Sequence, residues 1–67
     1  MKLRLIRRKV VINTKSERSF VGILWSRSFG IWKMKNVMLL KDSGEQVPVD
    51  GEVVVLREDI DFVQVLP

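Results

Sequence analysis

RSFVGILWSRSFGIWKMKNVMLLK, Arg18–Lys41, is the stretch that decides how this chain folds. Two apolar runs are separated by a short tip, Arg27-Ser28-Phe29-Gly30, and together they predict a hairpin. The segment holds both tryptophans and two of the three phenylalanines, so most of the aromatic area that can drive burial is here. Over Ser19–Ser26, Phe20, Gly22 and Leu24 share one parity, and Val21, Ile23 and Trp25 share the other. Both faces of that strand are apolar, so it is either buried on both sides or meets a partner on one. Gly22, in the middle of the run, signals a bend or a close backbone approach, as a sharply curved small barrel needs. Over Ile31–Leu40, alternation puts Trp32, Met34, Asn36, Met38 and Leu40 on one face. Lys33, Lys35, Val37 and Leu39 fall on the other, with both lysines directed to solvent. Trp25 and Trp32 flank the tip and are expected to pair across it.

Outward from the hairpin, the other segments also read as short strands. Leu3–Asn13 is rich in Leu, Ile and Val with basic residues interleaved. Its phase shifts around Ile6–Lys9, which predicts a bulge, or an N-terminal arm over residues 1–9 ahead of the strand proper. Leu3, Ile6 and Val10 also fit helical spacing, so residues 2–9 are compatible with a short helix; the β-branched run that follows favours a strand. Thr14–Glu17 and Asp42–Glu45 have turn composition. Gln46–Val49 contains Pro48 and reads as an edge segment. Asp50-Gly51 is a turn signal. Glu52–Leu56 is a β-branched strand, Arg57-Glu58-Asp59 a charged turn, and Ile60–Leu66 the last strand. The expected fold is an all-β, strongly bent five-stranded small barrel in a single domain spanning residues 1–67.

With 67 residues, the chain buries only about 60% of its unfolded surface, so an oligomer is the natural way to extend its core. No Cys or His is present, which removes a disulfide framework and leaves no ordinary transition-metal ligand set. Asp59 and Asp61 are the nearest approach to paired carboxylates, without a base partner or a Gly-rich phosphate loop. An enzyme, a metal site and a cofactor are therefore not expected. No apolar run approaches the roughly 20 residues of a membrane span, and the charged start lacks the apolar core of a signal peptide. A membrane partner is not expected, and a cytoplasmic location is.

Charge is unevenly divided. Residues 1–27 carry a net +7, residues 28–41 a net +3 and residues 42–67 a net −6. A basic face could meet nucleic acid, or basic and acidic edges could match between copies of the chain. Lys2, Arg4, Arg7, Arg8 and Lys9 form the densest cluster, able to neutralise several phosphates. Phe29, between Ser28 and Gly30, is hard to bury and suited to stacking on a base. Arg27 and Trp32 border the tip, and Arg57 lies in the last turn. These nine residues are the expected nucleic-acid contacts.

Several short motifs carry a family resemblance. Gly22-x-Leu24 precedes a hairpin, Asn36 precedes the aliphatic end of the next strand, and VVVLREDIDFVQVLP closes the chain. Over roughly Val10–Leu66 this resembles the Sm/LSm domain. The resemblance implies a bent, SH3-like barrel whose subunits join edge strands into homo-oligomeric rings, with RNA as partner. Members that bind uridine-rich RNA carry an Asp near the hairpin and a Met-Asn or similar pair at the start of the third strand. Here the tip reads Ser28-Phe29-Gly30-Ile31-Trp32, without an acid or an Asn. Those members also carry an Arg-Gly pair between the last two strands; Arg57 matches the Arg in a turn one residue shorter, and Glu58 replaces the Gly. The order Gly-x-Leu, hairpin, Asp50-Gly51, β-branched strand and Ile60-x-Phe62 also resembles very small proteins of actinobacterial bacteriophages. That resemblance implies a phage origin, and with it a location in the bacterial host or in the virion, without implying a role. The alternative function is a structural or assembly protein that uses the same barrel edges for contacts with virion proteins only.

Overall fold

The long hairpin forms as its pattern predicts, and the rest of the sheet is built on it. In the computed structural model, which describes residues 4–67, β2 (Ser19–Ser28) pairs antiparallel with β3 (Ile31–Leu40). β1 (Lys9–Thr14) lies against β2, and β6 (Ile60–Val65) against the other side of β1. β4 (Gln46–Val49) and β5 (Val53–Leu56) both pair with β3, β4 along Val37–Leu40 and β5 along Ile31–Met34. They are two halves of one broken strand on a single edge of β3. The six segments therefore make the expected five-stranded small barrel. Asp50-Gly51 marks the break in that strand and does not reverse the chain.

Two bulges bend the hairpin. Between the Val21–Met38 and Ile23–Lys35 pairs, β3 carries one more residue than β2. There Asn36 takes a left-handed φ of 54°. Between Leu24–Met34 and Ser26–Lys33 the surplus residue is Trp25, on β2. The second insertion restores the register that the first displaced. Each locally increases twist and curvature, as closing so small a barrel requires. At the first bend the backbones nearly touch. A Cβ on Gly22 would lie 2.9 Å from Val37 Cγ2 and 3.0 Å from the Lys35 carbonyl oxygen, so only glycine fits.

The bulges also correct the predicted faces. Beyond Asn36 the inward side of β3 changes parity, so Val37 is buried with Trp32 and Met34, while Asn36 is exposed. The core cluster joins these to Leu5, Val10, Ile12, Leu24, Val55 and Ile60. Val10, Ile12, Leu24 and Met34 are fully buried, each burial contributing about 1.5–3 kcal/mol. The expected Trp25–Trp32 pair does not form: Arg27 is the register partner of Trp32, and Trp25 is the bulged residue.

The first strand is Lys9–Thr14, shorter than the expected Leu3–Asn13, of which Leu3 lies outside the described residues. Arg4–Arg8 form an arm, with neither strand nor helix among them. Leu5 is buried in the core, and Arg7 turns the chain with a φ of 66°. Its amide donates to the Leu24 carbonyl oxygen at 2.6 Å, and the Leu24 amide donates to that of Arg8 at 3.1 Å. The alternation breaks around Ile6–Lys9 because one apolar residue enters the barrel mouth from a turn.

Candidate nucleic-acid interface

The hairpin tip is tighter than the four residues predicted. Strand pairing continues to Ser28 and Ile31, which leaves Phe29 and Gly30 as a two-residue turn. Both have positive φ, 51° and 75°, the requirement of a type I′ turn. Phe29 lacks the freedom of glycine at such an angle, yet it occupies that position and is 99% exposed. The Arg57 amide donates to the Gly30 carbonyl oxygen at 2.7 Å, tying the 3₁₀ turn Arg57–Asp59 to the tip. Phe29, Gly30, Ile31, Leu56, Arg57 and Glu58 then line an open cleft of about 500 Å³. Phe29 and Arg57, 28 positions apart in sequence, are thus brought to one site. It offers an aromatic face, a guanidinium and a carboxylate.

The other expected contacts are divided among different places. Trp32 is only 6% exposed and belongs to the core, which removes it as a stacking platform. Its ring is covered by Arg27, whose Cζ lies 5.4 Å from the ring centroid. Trp32 borders the tip in sequence, but its parity points it inward. Arg4 and Lys9 are exposed, and Arg8 donates from Nη2 to the Leu66 carbonyl oxygen at 3.3 Å. Lys2 lies outside the described residues. Arg7 stands apart from the cleft, with Cζ 5.2 Å from the Trp25 ring centroid, and Lys35 Nζ is 4.2 Å from the same centroid. Each cation–π contact at such an exposed site contributes about 0.5–1 kcal/mol. Trp25 and Lys35 are not among the contacts expected from sequence; the alternation directs Lys35 to solvent but gives Trp25 no outward face, since it is the bulged residue.

Charge compensation is sparse. Among the described residues the one ion pair is Lys41–Glu45, at 3.7 Å on the surface. No group of three metal-ligating side chains occurs among them, and no helix is long and apolar enough to cross a membrane.

Two free edges complete the surface. At the β5 side, ladder alternation turns the N–H and C=O groups of Val54 and Leu56 away from β3. At the β6 side it turns those of Val63 and Val65 away from β1. On β4 the outward positions are Gln46 and Pro48, and Pro48 has no N–H to offer. The side chains of Val54, Leu56 and Phe62 are among the exposed large hydrophobics.

No family model matches the chain, and no curated protein matches it in sequence. Solved structures do. A heptameric archaeal Sm protein superposes with a TM-score of 0.83 at 22% identity, covering 94% of this chain and 91% of the other. The P. aerophilum Sm heptamer gives 0.83 at 22% identity, covering 94% and 84%. The bent sheet, the broken strand along β3 and the closing pair of β1 with β6 are those of the Sm-like small barrel, and that is the fold of this chain.

Proposed function

We propose that the protein is a non-enzymatic Sm-like module that assembles with copies of itself and binds RNA or another single-stranded nucleic acid at the Phe29–Arg57 cleft. One observation carries the binding half of this reading: a fully exposed Phe is held at a left-handed turn position and tied by backbone to an arginine turn. Backbone strain of this kind persists where the site uses it. Phe29 supplies a sequence-tolerant stacking face, and Arg57 supplies charge-assisted donors for phosphate.

The assembly half rests on the edges. The free row of β5 and the free row of β6 stand at opposite ends of the sheet path, so pairing them is heterologous and closes into a ring if the rotation allows. Pro48 directs that pairing to Val53–Leu56 and away from β4. The heptamers among the structural neighbours support a ring. Glu58 in the cleft favours a second reading, in which the same edges and Phe29 make protein contacts only, as in a virion assembly protein.

Native mass spectrometry with and without nuclease, followed by anisotropy titration of uridine-rich and mixed RNA at low salt, separates the two. The expected result is a closed oligomer that binds RNA with steep salt dependence, with Arg57→Ala weakening binding about tenfold. Absence of binding at low salt by an intact oligomer overturns the nucleic-acid reading and leaves the assembly one.

A further inference from the structure

The outward face of the sheet gathers cations around one indole, away from the tip. Arg7 and Lys35 both lie over Trp25, at 5.2 Å and 4.2 Å from its centroid. Lys9 and Lys35 are the register partners of Ile23 from its two sides, which sets Lys9 on the same face. Three irregularities of the backbone build this arrangement. Arg7 takes a left-handed φ of 66°, Trp25 is the surplus residue of a bulge, and Asn36, next to Lys35, has a φ of 54°. Of the three, Arg7 alone holds a left-handed φ that its side chain disfavours, so the strain sits where the arm delivers its guanidinium to the ring, and strain so placed points to a use.

The cluster lacks an anion. Among the described residues no carboxylate forms an ion pair with Arg7, Lys9 or Lys35. Two like charges held on one ring repel each other, and the indole offsets only part of that repulsion. A phosphate would relieve it: guanidinium presents paired N–H donors to two oxygens, and ammonium adds a compact charge. β3 also connects the cluster to the tip. Ile31 lines the Phe29–Arg57 cleft, and Lys33 and Lys35 follow it at alternate positions of a regular strand. That row runs about 13 Å from cleft to cluster.

We propose that Arg7, Trp25 and Lys35, with Lys9 beside them, form a phosphodiester clamp for the strand whose base stacks on Phe29. The path runs from the cleft past Lys33 to the clamp. This inference rests on the nucleic-acid reading above, and it adds the direction in which the strand leaves the cleft.

A fluorescein-labelled 12-nucleotide mixed-sequence RNA, titrated by anisotropy across a salt series, tests it. Arg7→Gln with Lys35→Gln is expected to weaken binding about tenfold or more at low salt. The slope of log affinity against log salt should fall by about 1.4, near 0.7 for each phosphate of a single strand that is no longer neutralised. Lys15→Gln with Lys41→Gln removes equal charge elsewhere and is expected to leave the slope close to that of the unmodified protein. Native mass should be unchanged in both variants. Loss of affinity with Arg57→Ala but not with Arg7→Gln and Lys35→Gln overturns the clamp and leaves the cleft. The reverse pattern keeps the clamp and removes the cleft. A changed oligomer mass in the Arg7→Gln, Lys35→Gln variant overturns the clamp in favour of an interface between copies, and no binding by the unmodified protein overturns both.

Discussion

Trp25 and Trp32 stand on facing strands of one hairpin, yet Trp32 is 6% exposed and Trp25 is 41% exposed. They share a chemistry and a neighbourhood, so composition does not separate them; the bulge does. Trp32 follows the inward parity of Met34 and closes the core near the tip. Trp25 is the residue that β2 inserts, and it faces outward among cations from the arm and from β3. Two insertions in a sheet of short strands thus divide the aromatic material into one ring that stabilises the barrel and one that presents a surface.

Replacing each ring by alanine tests that division. Trp32→Ala is expected to destabilise by about 4 kcal/mol, the range of a large aromatic removed from a core. Trp25→Ala is expected to cost only about 1 kcal/mol, mostly from the missing cation–π attraction. Urea unfolding of both variants measures the difference, and equal losses of stability would dissolve the distinction. The mechanism of the division is tested at Gly22, whose missing side chain lets β2 approach β3 at the first bend. Because the Lys35 carbonyl oxygen would lie 3.0 Å from a new Cβ, Gly22→Ala forces backbone apart and should cost about 2 kcal/mol. A neutral Gly22→Ala in the same urea assay would mean that the bend tolerates a wider separation than the bulge geometry indicates.

Much of the barrel is legible in the sequence because its signals are local. Gly22 inside an apolar run, Pro48 on a short segment and the polar turns each state their role through backbone chemistry. The faces of the hairpin are legible only up to its bulges. An inserted residue leaves no mark in alternation until the parity beyond it is known, and Asn36 and Val37 read equally well on either side. That is why alternation alone sends Val37 outward, whereas Trp32 already lies on the inward parity of Met34 and is a candidate contact only by its place beside the tip. The arm is harder still, since Leu5 enters the core through a turn at Arg7 that ordinary patterning does not encode. At the site, Phe29 and Arg57 each stand out in the sequence, but their meeting depends on the Arg57–Gly30 backbone bond between distant segments. The Trp25–Lys35 pair escapes a sequence reading because it crosses strands at a bulge.

The smallest effect separates the tip from the rest of the hairpin most sharply. Asn36, the other non-glycine residue of the hairpin with a positive φ, is of a type that tolerates it. Phe29 is not. A type I′ turn favours Asn before Gly, because asparagine tolerates a left-handed φ that costs an aromatic residue strain. Phe29 is 99% exposed in the single chain, so no burial offsets that strain. Phe29→Asn is therefore expected to raise Tm by about 3 °C while weakening RNA binding several-fold. Calorimetry and anisotropy on the same preparation check both signs. A gain in stability with unchanged binding would assign the ring to another role, and a fall in Tm would mean that Phe29 is buried against a neighbouring copy. Only opposed signs mark a residue held at the tip for its ligand, against the preference of the turn that carries it.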